Sequence, residues 1–136
     1  MDIDAALDFA RTQHNGVLST LKADGTPQLS PVTIGVDNAG HVVISTRQPA
    51  YKVRNVRRDP RVWLCVLPDK FYGKWIQLEG TAEVVELPEA MDGLVEYYRG
   101  IRGEHPDWDD YRAAMEREKR VLLRIRVSKA GPDVSG

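Results

Sequence analysis

The segment 45–62, STRQPAYKVRNVRRDPRV, concentrates the residue types that hold anions. Six cations, Arg47, Lys52, Arg54, Arg57, Arg58 and Arg61, stand in eighteen residues against one acid, Asp59. The whole chain has a formal net charge of −1, so this positive charge is local. Ser45 and Thr46 end an apolar run, Pro49 suits a helix start, and Lys52 falls early in that helix. Hydroxyls at a strand end, free amides at a helix start and one ammonium would converge on a point, which is the chemistry of a phosphate site. The competing reading is a solvated helix face whose arginines pair with acids elsewhere. On a helix from Ala50, Lys52, Asn55 and Asp59 share one stripe, Tyr51, Arg54, Arg58 and Arg61 another, and Val53 and Val56 face inward.

Three further stretches carry polar or aromatic side chains. In QLSPVTIG, Gln28 and Ser30 share a strand face with Val32 and Ile34, a half-polar surface that suits a planar ligand or plain solvent. In FYGKWIQ, Phe71, Tyr72 and Trp75 surround Lys74, as in a stacking site, a subunit contact or a core cluster. In GEHPDWDDYR, Asp107 is placed to cap a helix whose first turn holds Asp109 and Asp110, so these acids read as capping rather than catalysis. His14, His41 and His105 have no metal-ligand spacing, and no GxSxG, P-loop, GxGxxG or HExxH occurs. No side-chain nucleophile stands out, and any chemistry is expected to belong to a cofactor.

These side chains need a frame. The 136 residues fit a single domain, 1–136, large enough for a real core. Near-neutral charge argues against coating nucleic acid or membrane, and no apolar run reaches the ~20 residues a membrane span needs. The acidic start, MDIDAALDFARTQ, is unlike a signal peptide, so a cytoplasmic protein is expected. Cys65, alone, excludes an internal disulfide and reads as a buried thiol. Residues 2–13 have helical spacing. Two β runs flank the Asp24-Gly25 hairpin signal, with Pro31 marking an edge or a bulge in the second. HVVIST, RVWLCVL, KWIQLEGTAEVVEL (with a bend or bulge at Gly80) and RVLLRIRVS complete about six strands. Helices are expected from Ala50 to before Pro60, at 88–100 and at 107–119, and KAGPDVSG reads as a loose tail. Hairpin-connected strands with inserted helices suit a small, mainly antiparallel barrel with peripheral helices.

In order along the chain, GVLSTLKADGTPQLSPV, ISTRQPAYKVRNVRRDPRV, IQLEGTAEVV and GEHPDWDDYRAAMEREKRVLL resemble the pyridoxamine-5′-phosphate-oxidase-like, FMN-binding split β-barrel superfamily. The likeness is to its PPOX-class, F420-dependent (deazaflavin-dependent) reductases. It implies a mainly β, Greek-key-like split β-barrel, a homodimer with the cofactor at the subunit interface, and a small-molecule substrate. It implies coenzyme F420, with FMN as the alternative, and hydride transfer to an electron-poor acceptor of the enone, quinone or tetrapyrrole type. The resemblance assigns the phosphate to Ser45, Thr46, Lys52 and Arg54, with Asn55 as a further candidate. It lays the ring near Leu18, Ser19, Thr20, Gln28, Ser30 and Val32, and brings Tyr72, Lys74 and Trp75 from the partner. Arg57, Arg58 and Arg61 would reach an acidic cofactor tail or stay solvated. The ending RIRVSKAGPDVSG departs from the Arg- and Pro-containing end of true pyridoxamine-phosphate oxidases, which speaks against vitamin B6 oxidation. The rival reading from another class is a non-catalytic cofactor or tetrapyrrole binder.

Overall fold

Strand-forming runs separated by Gly- and Asp-containing turns build one antiparallel sheet in the computed structural model, which describes residues 2–135. In chain order the elements are α1 (Ile3–Thr12), β1 (Asn15–Leu21), β2 (Pro27–Thr33), β3 (Gly35–Val36), β4 (Val42–Arg47) and α2 (Tyr51–Arg58). These are followed by β5 (Arg61–Leu67), β6 (Lys74–Val85), α3 (Met91–Arg102), α4 (Trp108–Arg117) and β7 (Arg120–Ser135). The spatial order is β2-β1-β5-β6-β7-β4-β3. β2 and β3 are therefore opposite edges of the sheet, yet only Ile34 separates them in sequence. The sheet has to curl until its edges approach, and this makes the mainly β, half-open barrel that the sequence suggested. Pro31 sits in β2, an edge strand, where its missing N–H breaks no ladder.

Strand alternation decides what faces inward. Leu18, Ile34, Ile44, Leu64, Ile76, Leu78, Leu123 and Ile125 fill the barrel, and Ala6, Leu7 and Ala10 of α1 join the same core. β4 and β7 are apolar on both faces, because Val43 and Leu122 turn outward to a second core under α3 and α4 with Leu94, Val95, Tyr111 and Met115. A bulge does fall beside Gly80, with its extra residue on β7: Glu79 pairs with Lys129 and Gly80 with Val127, which leaves Ser128 between them. A Cβ on Gly80 would lie 2.3 Å from the Arg126 carbonyl oxygen, so no side chain fits.

Three expectations need correction. There are seven strands rather than six, the two-residue β3 being the addition. The supposed loose tail is strand: β7 continues to Ser135, with Ala130 paired to Leu78 and Asp133 to Ile76. The Gly131-Pro132 pair reads as a breaker, but a register shift opposite Gln77 absorbs it, and long β6 offers the ladder that the tail completes. Cys65 is only half-buried, on the outer face between Val17 and Gln77, and its desolvation pushes the thiol pKa up. Among the described residues no helix is long and apolar enough to cross a membrane, and no cluster of His, Cys, Asp and Glu suits a metal ion.

Candidate functional site

β4 ends at Ser45, Thr46 and Arg47, and three residues later the chain turns into α2. Ala50 is the N-cap, and no side chain caps the helix; the Val53 amide bonds the Ala50 carbonyl at 3.1 Å, which leaves the Tyr51 and Lys52 amides for solvent or a ligand. Asn55 fixes the helix against the barrel. Its Nδ2 donates to Thr20 Oγ1 at 3.0 Å and to Gln28 Oε1 at 2.8 Å, and it is itself buried. Arg58 donates to Asn55 Oδ1 at 3.3 Å and to the Leu21 carbonyl at 3.2 Å. One buried amide thus ties together β1, β2 and α2, and through them sets where Lys52 stands.

Lys52 lies on a cavity of about 500 Å³ between the ends of β2 and β4, the start of α2 and the helices α3 and α4. Val32, Ser45 and Thr46 share this lining, so four of the sequence candidates meet at one place. Lys52 is half-buried, and no carboxylate pairs with it among the described residues. Burial holds its pKa below the ordinary lysine range. The lining also carries Arg102 and Arg120 against one acid, Glu118, which binds Arg120 at 2.9 Å. The cavity is accordingly cationic, and Lys52, like Arg102 without a carboxylate partner among the described residues, stands beside two hydroxyls and a helix start.

Helices α3 and α4 form the opposite wall. Tyr97 reaches across and donates its hydroxyl to the Thr33 carbonyl of β2 at 2.7 Å. Burial pushes this phenol above its ordinary range. Tyr111 donates to the Leu94 carbonyl at 2.8 Å, and its phenol is pushed up to about 12, chiefly by burial. Tyr98, His105, Trp108 and Tyr111 pack ring against ring, with centroids 5.0–5.7 Å apart. Asp107 caps α4 through the Asp110 amide at 3.1 Å, as the sequence suggested, and His105 Nδ1 accepts from the Asp107 amide at 2.9 Å. The GEHPDWDDYR stretch is therefore the joint that holds α3 and α4 over the cavity. Tyr97, Tyr98, Ile101, Arg102, Met115 and Arg120 were not among the sequence candidates. The aromatic pair in EYYRGIR was the available signal.

The remaining candidates fall elsewhere. Leu18 is 1% exposed and belongs to the barrel core, so its side chain reaches no ligand surface. Ser19 points to the other face of the sheet, opposite Trp63, because successive strand residues alternate. Thr20, Gln28 and Asn55 satisfy one another and position α2 instead of lining the cavity. Ser30 shares the β2 face of Gln28 and Val32. Arg54 is exposed, its guanidinium 5.8 Å from the Tyr51 ring centre. Arg57 pairs with Glu86 and Arg61 with Asp59, so they are not purely solvated. Within one chain Tyr72, Lys74 and Trp75 line no part of this cavity: Tyr72 is exposed against Phe71, and Lys74 lies 3.9 Å from Asp133.

Comparison with known proteins gives concordant results. The family model for pyridoxamine 5′-phosphate oxidase matches residues 3–131. An F420H(2)-dependent biliverdin reductase of Mycobacterium tuberculosis is 26% identical over 128 residues, covering 93% of this chain and 84% of the relative. A conserved hypothetical protein of Mycobacterium tuberculosis, known from its crystal structure, superposes with a TM-score of 0.77 at 29% identity, over 96% of this chain and 82% of the other. An F420 reductase structure superposes with a TM-score of 0.69 at 21% identity, over 91% and 94% of the two chains, a likeness of fold.

Proposed function

The chain belongs to the pyridoxamine 5′-phosphate oxidase family, and from that premise we propose that it is an oxidoreductase that uses coenzyme F420 to reduce an electron-poor organic acceptor. One observation carries the reading: half-buried Lys52, without a carboxylate, faces a cationic cavity beside Ser45, Thr46 and the uncapped start of α2. These residues fit the phosphate of a flavin-like group. Lys52 supplies a point charge, the hydroxyls supply neutral donors, and the helix start adds amides with a favourable dipole. Val32 and Ile44 add apolar surface to the lining. Tyr97, Tyr98 and Met115 wall the cavity from solvent on the helical side. When bound, the deazaflavin supplies a hydride from its ring, and the protein supplies binding, orientation and exclusion of water.

Two facts favour the deazaflavin over FMN. The curated relative uses F420H(2), and exposed Arg54 has no carboxylate partner among the described residues, leaving it for an acidic tail. Haem-type binding in the cavity has no histidine to serve as axial ligand, since none of His14, His41 and His105 lines it. A second copy of the chain would add Tyr72, Lys74 and Trp75, and the exposed Leu29, Phe71 and Tyr72 are the apolar groups such a contact would cover. The test is single-turnover mixing of the purified protein with reduced F420 and a quinone or enone panel, followed by the return of oxidised-F420 absorbance. Saturable, protein-dependent oxidation supports the reading. Turnover only with FMN would move the chain to the flavin branch, and no turnover with either would leave a binding protein.

A further inference from the structure

A second cavity, of about 710 Å³, lies on the far side of Tyr97, between α1, the turn before β4, and α3. Its floor is Gly35, Val36, Val43 and Leu122, so it is apolar at the base. Its rim sets three arginines, Arg11, Arg99 and Arg124, against three carboxylates, Asp37, Asp92 and Glu96. Several are already spent inside the protein: Arg11 on Asp8, Arg99 on Glu96 and Glu104, Arg124 on Glu83. Such a rim has no net charge to offer an anion, in contrast to the cavity at Lys52.

The helix above it is shaped for space. Gly93, Glu96, Tyr97 and Gly100 share one face of α3. Packing explains Gly93, where a Cβ would come 2.7 Å from Leu122 Cδ2. Packing does not explain Gly100, where a Cβ would meet nothing within 4 Å. A glycine inside a helix is destabilising relative to alanine, and here the missing side chain leaves that side of the cavity clear. Hydrogen-bonding capacity is also left over. Arg124 Nε is buried without a hydrogen bond among the described residues, its nearest carboxylate being Asp37 Oδ2 at 3.9 Å. His14 Nδ1 bonds the Ile34 carbonyl at 2.9 Å and must carry the hydrogen there, which leaves Nε2 as an acceptor in the neutral ring.

We propose that this second cavity is a binding site for an uncharged, flat and mainly apolar molecule, of the size of a two-ring aromatic or quinone, separated by Tyr97 from whatever anion the first cavity holds. The volume and apolar floor match ligand pockets in general, and the balanced rim selects against charge.

Two fluorescent probes with the same rings test this: neutral N-phenyl-1-naphthylamine and its sulfonated relative 8-anilino-1-naphthalenesulfonate. The neutral probe should bind saturably to the full chain. Gly100→Leu, which fills the space without touching the packing, should weaken that binding about tenfold or more and spare the sulfonate. Ala39→Trp, in the exposed turn on the opposite rim, should do the same if Gly100→Leu fails to fold. Lys52→Ala should weaken the sulfonate and spare the neutral probe. Absence of saturable neutral binding, or neutral binding unmoved by both plugging variants, would overturn the proposal. So would loss of the neutral site only at protein concentrations where the chain self-associates, which would assign the face to a second copy.

Discussion

The cavity at the start of α2 and the larger one beneath α3 share Tyr97 as a wall, yet they differ in what they can hold. The first takes its character from Lys52 and Arg102, both without a carboxylate partner among the described residues, with two hydroxyls and the amides at the start of α2. The second is floored by valine, leucine and glycine and rimmed by ion pairs that cancel. Both are built on the same strand, β4: Val43 lines the second cavity, and Ile44, Ser45 and Thr46 line the first. Neighbouring positions of one strand thus serve two chemistries, and the helical insert completes both.

The largest effect should come from breaking the frame that both cavities share. Gly80→Ala places a Cβ against the Arg126 carbonyl and should destabilise the fold by about 2–3 kcal/mol or more, read by urea denaturation. An unchanged midpoint would show that the β6–β7 bulge is not as tight as described.

A narrower change should damage only one side. Asn55→Ala strands Thr20 and Gln28 and loosens the start of α2, at a cost of about 1–3 kcal/mol in stability. It should weaken anion binding at Lys52 and leave the cavity beneath α3 intact. Equal losses at both sites, measured by the two probes, would contradict the separation. Tyr97→Phe should be milder, about 1 kcal/mol, since it removes one hydrogen bond to the Thr33 carbonyl and keeps the ring. It sharpens the comparison if ligands of the two cavities then begin to influence one another in paired titrations.

The smallest effect is a pH dependence. Burial favours the neutral amine of Lys52, so in the free protein it gives up its proton below the ordinary lysine range. A bound anion favours the ammonium. Affinity should therefore be full at lower pH and fall as pH climbs through that lowered value, with no such fall in Lys52→Met. Over the window from the lowered value to 10.5 the unfolded chain holds more protons, so stability should rise with pH there. An anion titration series across alkaline pH checks the sign.

Features set by neighbours in sequence were legible. The Asp24-Gly25 hairpin, the Gly80 bulge and the meeting of Ser45, Thr46 and Lys52 all follow from residues a few positions apart. Docking of distant elements was not. Tyr97, Arg102 and Arg120 reach the cavity only because α3 and α4 fold back over β4 and β7. Leu18, Ser19 and Thr20 were all placed near one ring, and strand alternation sends Ser19 to the face opposite Leu18 and Thr20. Asn55 shared a helical stripe with Lys52, but the long-range hydrogen bonds that bury it have no sequence signature. The last strand was taken for a loose tail because Gly131-Pro132 interrupts it, but these two residues form a bulge in β7 opposite Gln77, where a proline is tolerated.

The most direct measurement is an equilibrium fluorescence titration of oxidised F420 into the wild-type chain and into Lys52→Ala, with FMN in parallel. The account predicts that the wild type binds F420 in preference to FMN and that the variant, folded by circular dichroism, loses about 1–3 kcal/mol of F420 affinity. The same dissociation constant in both proteins would contradict the assignment of Lys52 and the cavity around it.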